Sequence, residues 1–64
     1  MRVYIEREEK GLSLEFRGTA GSLLKRLKIN PETVIVVRDD ALIPLETRLK
    51  SGDDLKILSV ISGG

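Results

Sequence analysis

Chemistry in this sequence is confined to its last two residues, Gly63 and Gly64. Neither carries a side chain, so the reactive group they offer is a main-chain carboxylate. The remainder of the chain contains no histidine and no cysteine. It therefore lacks the commonest general base and the best thiol nucleophile. Asp39-Asp40 and Asp53-Asp54 raise the idea of a cation site, but neighbouring carboxylates in a strand point apart, and turn chemistry explains both pairs better. Lys25, Arg26 and Lys28 form a basic cluster without interleaved aromatics, which reads as a solvated helix end rather than an RNA surface. At average glycine usage, two terminal glycines arise in roughly one chain in 200. A frayed terminus is the alternative reading of Gly63-Gly64.

With 64 residues the chain has room for one domain, near the lower limit at which a hydrophobic core suffices. Disulfides and zinc cannot help it, so packing must. Eleven basic residues against ten acidic ones leave a net charge of +1, which announces neither a nucleic acid nor an anionic membrane as partner. No run approaches the roughly 20 apolar residues of a membrane span, and the charged start MRVYIERE argues against a signal peptide. These features predict a cytoplasmic, non-enzymatic protein. The absence of glutamine, the single asparagine and the 33% of charged residues resemble thermophile composition.

Elements that could position such a terminus follow from the periodicity. Residues 1–7 alternate, with Met1, Val3 and Ile5 opposed to Arg2, Tyr4 and Glu6, as in a half-buried strand. Gly11 is placed to take a turn's positive φ, and Leu12, Leu14 and Phe16 then repeat the alternation to complete a hairpin. Thr19 stands as a helix N-cap before Ala20, Leu23, Leu24 and Leu27 at helical spacing, and Asn30-Pro31 should stop that helix. Gly21 weakens its first turn, so it must depend on docking. Residues 33–38, apolar on both faces, predict an interior strand ending at the Asp39-Asp40 turn. Residues 41–45 make a short edge strand because of Pro44. Leu45 and Leu49 should anchor a polar connection to a tight turn at 51–53, before a last strand over 55–61.

That order of strand, strand, helix, strand, short strand, strand predicts an α+β fold, a mixed sheet of four to five strands with one helix on one face. It resembles the β-grasp fold of ubiquitin. LKSGDDLKILSVISGG sharpens the likeness: a Gly-Asp turn, an alternating strand and a V-I-x-G-G ending resemble the close of the small ubiquitin-like sulfur carriers. That group takes in the thiazole-forming sulfur carrier of thiamine synthesis, the small subunit of molybdopterin synthase, and the ubiquitin-related and small archaeal modifiers. TAGSLLKRLKI fits the same pattern, whereas Asp39-Asp40 stands where an Asn-Gly turn is frequent. The resemblance divides the chain into a β-grasp domain over 1–61 and a flexible Ser-Gly-Gly tail over 62–64.

The resemblance implies that the Gly64 carboxylate is the group acted upon. An activating enzyme of the ubiquitin-activating type would adenylate it, using ATP and magnesium held by the enzyme and not by this chain. A sulfur donor would then give a thiocarboxylate for an acceptor enzyme in thiamine, molybdopterin or tRNA thiolation. Alternatively the chain is a protein modifier, joined through Gly64 to lysines of target proteins, or an interaction module with an inert tail. Glycine at 63 and 64 suits entry into a narrow channel, since it has no Cβ and samples either sign of φ. Residues 62–64 reach about 10 Å beyond the last strand.

Alternation in that strand carries one further expectation. With Leu55 and Ile57 under the helix, Lys56, Leu58 and Val60 face outward, and Ile35 or Val37 could join them. This apolar face, continued by Ile61 and Ser62, is where an activating enzyme would dock. Cover by a second copy, or simple tolerance, is the alternative.

Overall fold

A computed structural model of the chain describes residues 1–60. Strands β1 (Arg2–Ile5), β2 (Lys10–Ser13), β4 (Val34–Arg38), β5 (Ala41–Ile43) and β7 (Asp54–Ser59) form one mixed sheet in the order β2-β1-β7-β4-β5. Helix α1 (Ala20–Arg26) supplies the second layer. Val3 and Ile5 of β1, Val34 and Val36 of β4, and Leu55 and Ile57 of β7 are buried with Ala20, Leu23 and Leu24 of the helix. The alternation in the sequence therefore selects the face that meets the helix. This is the β-grasp arrangement expected from the order of elements.

A two-stranded ladder of β3 (Gly18–Thr19) and β6 (Arg48–Leu49) adds to the predicted set. It brings the 44–49 segment beside the helix start, where the backbone carbonyls of Thr47 and Leu45 accept from the N–H groups of Ala20 and Gly21 at 3.0 and 2.9 Å. Thr19 caps the helix as expected, its Oγ1 accepting from the Ser22 N–H at 3.1 Å. The dependence on docking expected of the weak first turn thus has a structural counterpart. Leu49 is buried, whereas Leu45 is 39% exposed and holds the helix through its carbonyl.

Two turns depart from expectation. In the first hairpin Glu9, not Gly11, adopts positive φ, at 47°. The reason is a 3₁₀ turn over Glu6–Glu8, which Glu9 closes by donating its N–H to the Glu6 carbonyl; Gly11 falls within β2. The helix ends at Arg26 without waiting for Asn30-Pro31. Lys28 turns left-handed (φ 61°), and the N–H groups of Lys28 and Ile29 bond back to the carbonyls of Lys25 and Leu24 at 3.1 and 2.9 Å. The half-buried Ile29 packs against the core, which favours this double-bonded C-terminus. Asn30 instead opens a second 3₁₀ turn, Pro31–Thr33.

Asp39 and Asp40 both have positive φ, 53° and 64°, in a two-residue connection between the paired Arg38 and Ala41. That is the hairpin turn for which Asn-Gly is best suited. Asp40→Gly is accordingly expected to raise the unfolding free energy by about 0.5–1 kcal/mol, read from the urea midpoint.

Asp53 accepts from the Lys50 N–H at 2.8 Å and from the Arg38 guanidinium at 3.3 Å, tying the turn before β7 to the end of β4. The Lys50 hydrogen bond, opposed by burial and helped by Arg38, holds its carboxyl below the ordinary 3.8. A depressed folded value contributes stability that is complete above the unfolded value and lost as pH falls through the folded one. The stability difference between wild type and Asp53→Asn should thus be constant at neutral pH and shrink below 3.8 in pH-dependent urea titrations.

Candidate functional site

The strand that leads to the terminal glycines lies in the middle of the sheet. β7 pairs in parallel with β1 (Val3↔Leu55, Ile5↔Ile57) and antiparallel with β4 (Val36↔Ile57, Ile35↔Leu58, Val34↔Ser59). With neighbours on both edges, its register is fixed by two ladders as well as by the burial of Leu55 and Ile57.

Contacts at the end of β7 come from two sides. The Val60 N–H donates to the Thr33 carbonyl at 3.0 Å, and the Ser59 N–H donates to Glu6 Oε1 at 3.3 Å. Thr33 is itself held by the second 3₁₀ turn: its N–H and Oγ1 both donate to the Asn30 carbonyl, at 3.1 and 2.9 Å. Asn30 Oδ1 accepts from the Glu32 N–H at 3.0 Å. Nothing in the sequence marks Glu6 or Thr33 as part of this site. Glu6 reads there as the outward residue of an alternating strand, and no local pattern announces a partner 53 positions away.

On the sheet face away from the helix, the register sets Gly11, Tyr4, Lys56, Val37 and Leu42 in one row across β2, β1, β7, β4 and β5. Leu58 and Ile35 pair in the row nearer the end of β7. Lys56 is exposed and Leu58 half-buried; Val60 is 51% exposed, Tyr4 42% and Leu42 64%. Both Ile35 and Val37 belong to this face, since they are two positions apart on one strand. The outward placement of Lys56 and Leu58 follows the expected alternation. Ile61, Ser62, Gly63 and Gly64 lie outside the described residues.

Among the described residues, no group of three or more His, Cys, Asp or Glu side chains is placed to hold a metal ion. No helix among them is long and apolar enough to cross a membrane. No buried side-chain nitrogen or oxygen among them is without a partner.

The sequence profile of the ThiS family matches residues 4–64. "Sulfur carrier protein TtuB" of Thermus thermophilus is 39% identical over 57 residues, covering 89% of this chain and 88% of that protein. An uncharacterized protein of Archaeoglobus fulgidus is 40% identical over 58 residues, covering 89% of this chain and 85% of its own length. With its β-grasp architecture and a family match that runs through both terminal glycines, this chain belongs to the ThiS family of ubiquitin-like sulfur carriers.

Proposed function

We propose that this protein carries sulfur on the carboxyl carbon of Gly64, as a substrate of other enzymes and not as a catalyst. The observation that carries the reading is the match to the ThiS family over residues 4–64, which includes Gly63 and Gly64. The relative from Thermus thermophilus, named a sulfur carrier protein, supports it. In the proposed sequence a carboxylate oxygen of Gly64 attacks the α-phosphorus of ATP and pyrophosphate leaves. A sulfur nucleophile at the sulfide level then attacks the acyl carbon of the resulting adenylate, and AMP departs with the bonding pair. The product is a thiocarboxylate that an acceptor enzyme consumes. ATP and magnesium belong to the activating enzyme.

Lys56, Leu58 and Val60, continued by Ile61 and Ser62, form the docking surface for that enzyme in this proposal. Support comes from position: the apolar row of Leu58 and Ile35 lies next to the end of the strand that delivers the tail. Four residues follow Val60, a reach of about 13 Å. An enzyme that closes on Gly64 would then work within about 13 Å of Val60, close enough to meet this face.

Intact-protein mass spectrometry tests the reading directly. The protein is incubated with ATP, magnesium, its activating enzyme and sulfide, and the expected product has one terminal oxygen replaced by sulfur. High-mass conjugates with a Gly-Gly remnant on lysine would instead assign the chain to protein modification. An unchanged mass together with no ATP-pyrophosphate exchange would overturn both.

A further inference from the structure

The parallel ladder between β1 and β7 stops before β7 does. Continuing the register Val3↔Leu55 and Ile5↔Ile57 by two residues would set Arg7 opposite Ser59. In such a ladder the Ser59 N–H would face the Glu6 carbonyl. That carbonyl is already engaged, because the chain turns into the 3₁₀ segment Glu6–Glu8 and Glu9 donates to it at 3.0 Å. The Glu6 carboxylate takes its place, Oε1 accepting from the Ser59 N–H at 3.3 Å. On the opposite edge the Thr33 carbonyl accepts from the next N–H, that of Val60, at 3.0 Å. A side chain on one side and a carbonyl on the other thus brace the last two described residues before the tail.

We propose that Glu6 is a positioning residue for activation of the C-terminus, acting through Ser59. The inference rests on the carrier reading above. By holding Ser59 in the strand after the β1 ladder has ended, Glu6 acts beside the Thr33–Val60 bond to fix where the four residues after Val60 begin. A chain end held at both Ser59 and Val60 has less ordering left to lose on entering an enzyme channel than one held at Val60 alone. This ordering cost falls on the bound complex and on the transition state alike. Removing the brace should therefore raise KM and leave kcat unchanged.

Glu6 is exposed and contributes nothing to the core, so its replacement leaves a folded protein to measure. The experiment compares wild type, Glu6→Ala and Glu6→Gln in two assays. One is hydrogen exchange at the Ser59 amide in the protein alone; the other is pyrophosphate release with the activating enzyme. Glu6→Ala should speed Ser59 exchange and raise KM about fivefold at constant kcat. Glu6→Gln keeps an oxygen that can accept the same bond and should stay near wild type in both assays. Wild-type KM for Glu6→Ala overturns the inference. So does a Glu6→Gln defect equal to that of Glu6→Ala, which would transfer the effect to charge at the enzyme surface. If wild type itself is not adenylated, the carrier reading fails first, an outcome distinct from an adenylated wild type with an indifferent Glu6→Ala.

Discussion

A variant carrying one additional alanine after Gly64 will be adenylated at least about 100-fold more slowly than the parent chain, with its stability unchanged. Appending a residue converts the Gly64 carboxylate into an amide. An amide oxygen is too weak a nucleophile to displace pyrophosphate from ATP. A new carboxylate does exist, but it stands about 3.4 Å further along the chain and follows a residue with a Cβ. Rate losses on the order of 100-fold accompany misplacements of about 1 Å at a reacting centre, so a displacement of a whole residue exceeds what positional tolerance can absorb.

The addition lies beyond every core residue, and the buried set from Val3 to Ile57 is untouched. ATP-pyrophosphate exchange and a urea melt on the same preparation separate the two effects. Exchange at the parent rate would show that the terminal carboxylate is not the group activated. Lost exchange with a lowered urea midpoint would place the effect in folding instead.

What periodicity could reveal of this architecture is set by how many residues repeat a pattern. β1 and β7 alternate because one face of each meets the helix, and Val3, Ile5, Leu55 and Ile57 record that burial in residue type. Ala20, Leu23 and Leu24 do the same at helical spacing. The β3–β6 ladder is two residues long on each side, too short to repeat anything, and its partners Gly18 and Leu49 are far apart in the chain. Left-handed backbone at Glu9 and Lys28 is equally silent, because glycine is the residue whose presence signals it and neither position has one. In both cases the tertiary context dictates the turn: the Glu6–Glu8 segment must reverse the chain between β1 and β2, and Ile29 must return to the core.

The same distinction applies to the candidate site. Gly63 and Gly64, outside the described residues, stand out in the sequence because two residues without side chains at a terminus are rare, and the outward placement of Lys56 and Leu58 is legible because strand alternation orients them. Which residues meet them across the sheet depends on register, a property of pairs that no single segment encodes. Alternation alone allows Ile35 or Val37 to join the outward face; their shared strand parity brings both. The brace from Glu6 arises where alternation fails, at the residue where β1 gives way to a turn.

Leu58→Glu is expected to keep the fold and to lower kcat/KM for activation by about 30-fold or more. Leu58 faces away from the helix and pairs with Ile35, so its replacement costs one cross-strand apolar contact, about 0.2–1 kcal/mol, and leaves no cavity in the core. At an enzyme interface the change is larger. An apolar contact is lost and a carboxylate must be desolvated without a partner, and central contacts of this kind carry about 2 kcal/mol or more. Lys56, two positions back on the same strand and exposed, separates the effect of apolar contact from that of charge. If the face is read mainly through its apolar surface, Lys56→Glu will change the salt dependence of activation and spare most of the rate at high salt, whereas Leu58→Glu will stay slow at every salt concentration. Parent-like kinetics for Leu58→Glu would move the docking surface off this face of the sheet while leaving the chemistry at Gly64 in place.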